Sequence, residues 1–212
     1  MNFNKKFLII TAHPDDAELG CAGLIQRIKN NGGSVTNLIM VQPSKEINTA
    51  RSKEIVEKEL KNSKELLEFN VDIHETKLHD DGRPNLILDN NLITELEDKY
   101  NNFDVIISHW HEDYHQDHKT CYNIAKILSR KNFKEFWCMD LPFYNLYYKQ
   151  FQCNLYVDIT DYVDKKIKAL RCYNSYFDHD KIENTIQYNK YKGSIIGKNK
   201  IAETFSIMYK KI

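Results

Sequence analysis

The chain reads as an α/β protein: a mostly parallel sheet with helices on both faces in three layers, followed by a C-terminal elaboration. Short apolar runs alternate with amphipathic helical patterns through about residue 141, which is the sequence form of βαβ units. The 212 residues, 42% hydrophobic and 28% charged, supply core enough for a single domain over 1–212, with a core of about 1–141 and an elaboration of about 142–212. No internal repeat, low-complexity tract or linker interrupts it.

Residues 6–11 form the first strand, built on Phe7-Leu8-Ile9-Ile10. Leu19, Leu24, Ile25 and Ile28 recur at helical spacing, so a helix runs from about Glu18 to Asn30 and stops at the C-cap signal Asn31-Gly32-Gly33. Val35 to Val41 is a second strand, and residues 42–49, with Pro43, a loop. Ile55, Val56, Leu60, Leu66 and Leu67 share one face of a helix from Arg51 to Phe69. Val71 to Leu78 is a weaker third strand, and residues 80–84 are a turn. Leu92 to Tyr100 is a helix and Phe103 to Ser108 a strand. The stretch from His118 to about Leu128 is a helix and Glu135 to Leu141 a strand. Residues 142–152, with Phe143, Tyr144, Tyr147 and Tyr148, are aromatic and irregular. Leu155 to Ile159 is a short strand, and Thr160 is the expected N-cap of a helix to about Tyr173. The polar tail 178–197 carries no assigned element, and about 201–210 is a last strand or helix.

Formal net charge is zero and no long basic block occurs, which argues against nucleic acid or an anionic membrane as partner. The pair Lys165-Lys166 is expected on a solvated helix face. No apolar run approaches the ~20 residues of a membrane span, and the start is too soon interrupted for a signal peptide, so a soluble, cytoplasmic protein is expected. The five cysteines, Cys21, Cys121, Cys138, Cys153 and Cys172, are odd in number and make no C-x-x-C pair, so free buried thiols are expected.

The chemistry lies in two clusters. Ala12-His13-Pro14-Asp15-Asp16 follows the first strand, and His115-Gln116-Asp117-His118 follows the strand ending at Ser108. Either cluster alone reads as an ordinary polar helix start. Both beyond strands of one parallel sheet converge on its carboxyl edge, where such folds bind ligands. His13 and Asp16, with His118 as the chosen third ligand, make the N/O set of a catalytic zinc site with an open position. Two histidines and a carboxylate also suit iron(II). Such an ion would lower the pKa of a bound water and polarise a carbonyl. Asp15 is then left as general base. His115 is left to protonate a leaving amine or stabilise an oxyanion, and Asp117 to fix an imidazole tautomer from behind. Among His109, His111, Glu112 and Asp113, extra ligands compete with plain loop polarity, with Asp113 lining the site on the substrate side. His74 and His79 read as surface residues, and Trp110 as either a sugar-stacking wall or a packed aromatic.

At these residues the chain resembles the LmbE-like, or PIG-L, family of zinc-dependent N-acetylglucosaminyl deacetylases. The resemblance rests on Ala12-His13-Pro14-Asp15-Asp16 and its continuation through Gly23, and on Arg51-Ser52-Lys53-Glu54. It rests also on His115-Gln116-Asp117-His118 and on the late Ala202-Glu203-Thr204-Phe205. It implies a Rossmann-like fold and Zn2+-dependent hydrolysis of an N-acetylglucosamine-type amino sugar. His13, Asp16 and His118 would be ligands, Asp15 the base, His115 an aid to the tetrahedral intermediate and Arg51 a substrate contact. Ala17 stands where many members have Glu, and Tyr176 where relatives often have Gln. The expected substrate is a small-molecule, glycan- or nucleotide-linked amino sugar, in cell-surface glycan or low-molecular-weight thiol biosynthesis. Release of formate or another small acyl group is the nearest alternative, and a non-catalytic sugar-binding relative a further one. A nucleotide-binding role is disfavoured, because acids stand where a phosphate would lie and no G-x-G-x-x-G occurs. A homo-oligomer remains open.

Overall fold

The run Lys6–Thr11 becomes β1, buried from Phe7 onward at the centre of a sheet whose two faces are both covered, the setting in which strands read as unbroken apolar runs. The computed structural model describes residues 1–41, 52–79, 84–131, 133–144 and 150–211. Around β1, the chain forms α1 (Asp16–Asn30), β2 (Ser34–Ile39), α2 (Lys53–Leu67), β3 (Asn70–Ile73), α3 (Asn90–Lys99) and β4 (Val105–Ser108). It continues as α4 (Gln116–Ser129), β5 (Glu135–Met139), β6 (Leu155–Asp158), α5 (Val163–Cys172), α6 (His179–Ser194) and β7 (Ala202–Lys210).

The strands make one sheet in the order β3-β2-β1-β4-β5-β7-β6. β1 pairs in parallel with β2 and β4, β2 with β3, and β4 with β5. β7 runs antiparallel between β5 and β6, so the C-terminal segment completes the same sheet. Side chains alternate along β1: Phe7 and Ile9 join the core that holds α1, α2 and α5, and Leu8 and Ile10 the one that holds α3 and α4. The expected mostly parallel, three-layer architecture is therefore the one observed.

Local chemistry explains the element ends. Gly32 sits at φ +80° behind α1, as the Asn-Gly-Gly signal predicts. Ser52, Asp89 and Asp178 accept from backbone amides at the starts of α2, α3 and α6. Close packing sets Gly23, where an added Cβ would lie 2.5 Å from Ile159 Cγ2.

Four expectations are corrected. The third strand ends at Ile73, not Leu78. Thr160 is not a helix cap: it opens a 3-10 turn (Thr160–Tyr162), and its own N–H and Oγ1–H donate to Asp158. The polar tail is helical, because α6 buries Ile182, Thr185, Ile186, Asn189, Lys192 and Gly193 along one stripe in which only two residues are large and apolar. Lys166 is not solvated. It is fully buried, and its Nζ donates to Glu203 Oε1 and to the Leu19 carbonyl, both at 2.7 Å. Glu203 in turn accepts from the amides of Gly23 (2.9 Å) and Leu24 (2.8 Å). These are groups a regular helix spends on its own ladder, so α5 and β7 are stitched into the middle of α1.

Of the open alternatives, Trp110 is a packed aromatic, 6% exposed and edge-on to Phe151 at 5.0 Å. All five cysteines are free, with Cys21, Cys121 and Cys138 buried. His79 is exposed and His74 half-buried. The loop 42–49, and the turn 80–84 apart from Pro84, lie outside the described residues. Among the described residues no helix is long and apolar enough to cross a membrane.

Candidate active site and metal centre

Strand order reverses between β1 and β4, and the chain leaves these two strands towards opposite faces: β1 into α1, β4 into α4. Such a reversal opens a crevice at the carboxyl edge. Residues 12–15, which link β1 to α1, and 109–115, which link β4 to α4, both empty into it. The edge is tied: Ser108 Oγ donates to the Ile10 carbonyl, and the Ala12 amide donates to His109 Nε2 at 3.0 Å.

His13, Asp16 and His118 converge there. Asp16 Oδ1 lies 3.5 Å from His118 Nε2, and Asp16 Oδ2 lies 3.7 Å from His13 Nδ1. Their candidate ligand atoms fall within 4.8 Å of one another. The opposite nitrogens are each held by a carboxylate. His118 Nδ1 is 2.7 Å from Asp113 Oδ2, and His13 Nε2 is 3.2 Å from Asp117 Oδ2. An Nδ1 that donates to Asp113 leaves His118 Nε2 as a lone pair, and that atom is buried with no hydrogen-bond partner. A buried polar atom without a partner calls for an explanation. Carboxylate-backed imidazoles turned towards a common point are how proteins present nitrogen to a metal. The donor set fits a divalent cation. Burial opposes charge on Asp16, but the imidazoles of His118, His109 and His13 hold its carboxyl well below the usual range.

Two other groupings, His13 with His115 and Asp117, and His109 with Asp113 and His118, are equally compact. In the first, His13 Nε2 and Asp117 Oδ2 already face each other at 3.2 Å. In the second, Asp113 accepts from the His115 amide at 2.8 Å and lies 2.7 Å from His118 Nδ1, and His109 Nε2 accepts from Ala12 while its Nδ1 is buried without a partner.

The remaining residues surround this point. Asp15 has φ 109° and ψ −26°, a conformation L residues avoid, and its side chain does not cap α1. It is 7% exposed. His115 is the N-cap of α4, its Nδ1 accepting from the Asp117 amide at 3.3 Å. That leaves the proton of the neutral ring on Nε2, while burial, then His13 and His118, push its pKa down. Asp117 is held low chiefly by its bond to His13. Asp113, 1% exposed and with both oxygens engaged, lies behind His118. Arg51 lies outside the described residues.

Two placements go beyond the sequence reading, which left His109 between extra ligand and plain loop polarity and Tyr144 in an irregular aromatic segment. His109 is fully buried and stacks on His118 at 3.9 Å and 14°. Burial drives its pKa down to about 4, so it packs as a neutral ring. Tyr144 reaches the site from the aromatic segment, its ring 4.8 Å from that of His118. Neither is signalled by spacing; a cluster of aromatics after a strand is the only hint.

The molecule is thus an α/β protein with a His-Asp-His set suited to a divalent cation at its switch point. The sequence profile of PIG-L, described as GlcNAc-PI de-N-acetylase, matches residues 8–129, and the chain belongs to that family. No match was found among curated protein sequences. Among solved structures, the chain is similar to the 4-carboxy-2-hydroxymuconate hydratase GalB of Pseudomonas putida KT2440, with TM-score 0.79, 17% identity and 98% of each chain covered. It is similar to the conserved protein TT1542 of Thermus thermophilus, with TM-score 0.77, 22% identity, and 97% of this chain and 95% of that one covered. It is also similar to the N,N'-diacetylchitobiose deacetylase of Pyrococcus horikoshii, with TM-score 0.74, 21% identity, and 96% and 84% covered. At these identities the likeness establishes the fold.

Proposed function

We propose that the protein is a zinc-dependent N-deacetylase acting on an N-acetylglucosamine-type conjugate, a small-molecule, glycan- or nucleotide-linked amino sugar. The pathways envisaged are cell-surface glycan or low-molecular-weight thiol biosynthesis. The observation that carries this reading is the orphaned His118 Nε2, facing His13 and Asp16 in a chain of the de-N-acetylase family.

His13, Asp16 and His118 would hold the cation, which when bound supplies Lewis acidity towards water and the acyl oxygen. The chain's own groups do the rest. Asp117 and Asp113 fix the two imidazoles. Asp15 takes a proton from the attacking water as its oxygen bonds to the acetyl carbon. The Nε2–H of His115 donates to the acyl oxygen as that oxygen gains charge. The C–N bond then breaks, and the departing amine takes the proton that Asp15 collected. Arg51 is assigned to the sugar side.

The test is amine release from a panel of N-acetylglucosamine conjugates by zinc-loaded protein, with D15N as control. D15N should retain zinc and lose activity by about 10²-fold or more. Full activity in D15N removes Asp15 as the base. No release by the wild type, together with turnover of unsaturated hydroxy acids of the GalB kind, would replace deacetylation with hydration.

A further inference from the structure

We infer that Tyr144, pinned by Tyr176, closes the acyl side of this pocket and limits the substrate to a short acyl group. The inference rests on the deacetylase reading above and goes beyond it by assigning a specificity-determining residue.

The pocket has a closed side and an open side. On the closed side His118 is 0% and Asp16 4% exposed; on the open side His13 is 30%, His115 33% and Asp117 23% exposed. The ring of Tyr144 stands on the closed side, 4.8 Å from the His118 ring and 6.5 Å from that of His115. Tyr114, which is 48% exposed, lies nearly parallel to it at 6.0 Å and continues the aromatic wall outwards.

Two observations say that Tyr144 is placed there at a cost and then held. The preceding residue, Phe143, has φ 80°, a conformation that strains a bulky aromatic. That turn delivers Tyr144 into the pocket. Its hydroxyl then meets the hydroxyl of Tyr176 at 2.9 Å. Tyr176 is itself fixed: its amide donates to the Tyr173 carbonyl at 3.0 Å, its ring meets Phe177 edge-on at 4.9 Å, and Lys181 Nζ lies 4.3 Å over its ring. Burial pushes the Tyr144 phenol up, so the pin stays protonated.

The less exposed side is assigned to the smaller part of the substrate. The sugar needs the open side, so the acyl chain is directed against the Tyr144 ring. With the Tyr144 ring as that wall, each methylene added to the acyl chain meets it.

The experiment compares wild type, Y144A and Y176F on one amino sugar bearing formyl, acetyl, propionyl or butyryl. In parallel, acetohydroxamate and butyrohydroxamate are titrated into the zinc-loaded proteins. Y144A should raise the butyryl-to-acetyl ratio of kcat/KM by about tenfold or more, the scale set by methylenes in a fitted pocket. It should shift the hydroxamate Kd ratio in the same direction. Y176F keeps the ring and frees it, so its shift should be smaller but of the same sign, and it serves if Y144A fails to fold. Unchanged ratios in the folded variants overturn the inference. A wild type that hydrolyses no member, but loses its preference for the short hydroxamate in Y144A, sinks the deacetylase reading and leaves the size limit standing.

Discussion

Asp15 offers a direct trade between stability and chemistry. Its φ of 109° with ψ −26° lies where only glycine is comfortable, and it is the residue assigned to move the proton. Holding an L residue in such a conformation costs about 1–3 kcal/mol. In ordinary backbone the comparison of glycine with alanine runs the other way, with glycine worse by roughly 0.5–1 kcal/mol through the entropy of the unfolded chain. The variants D15G and D15A both lack the carboxylate, so their difference isolates the backbone. The balance predicts D15G more stable than D15A by about 1 kcal/mol, a Tm difference of about 2–4 °C for a chain of this size. The assay is thermal and urea unfolding in the presence of a chelator, so that metal binding to the folded state makes no contribution. Both variants should lose amine release. Equal stabilities, or a more stable D15A, would refute the strain argument.

Three other outcomes follow from the packing. E203Q should cost about 3 kcal/mol or more in urea unfolding, because it leaves the Lys166 ammonium buried without its counter-charge; a cost within error of zero would mean the pair is solvated. D113N should weaken zinc binding by about 10–100-fold in chelator competition, through loss of the carboxylate behind His118; unchanged affinity would remove that role. At Asp158, burial pushes the carboxyl up, but Lys200 and the two Thr160 donors outweigh it and bring the pKa from 3.8 to about 2. A depressed carboxyl stabilises the fold fully above its unfolded value and loses that contribution as pH falls through the folded one. Solvent screening keeps the term below about 1 kcal/mol. Wild type and D158N should therefore differ in urea midpoint at pH 6 and converge as pH falls from about 4 to about 2; a gap that persists at the acid end would assign the effect to shape rather than charge.

What the sequence disclosed depends on the range over which each signal acts. β1 and β4 are buried on both faces, so their identity is written in consecutive apolar residues. The two His/Asp clusters were legible because each sits just beyond such a strand. α6 was not, since Thr185, Asn189 and Lys192 occupy buried positions that a hydrophobic pattern reserves for apolar residues. Lys166 looked like surface charge because its partner Glu203 is 37 residues away. The placement of Tyr144 depends on a single strained residue, Phe143, and on a phenol 32 residues further on. Local patterns predict elements; long-range polar pairs emerge only when the elements are assembled.

The stitch between Glu203 and α1 also sets a schedule for the nascent chain. The amides of Gly23 and Leu24 wait for a carboxylate 180 and 179 residues downstream. At roughly 5–20 residues per second, ribosomal synthesis delivers that partner on the order of 10–40 s after α1 has emerged. Until then the helix that begins with Asp16 lacks the anchor at its middle. The early βα units can collapse on one another, but α1 gains its mid-helix anchor only when β7 is inserted between β5 and β6. Assembly of the edge that carries Asp16 is thereby coupled to synthesis of β7.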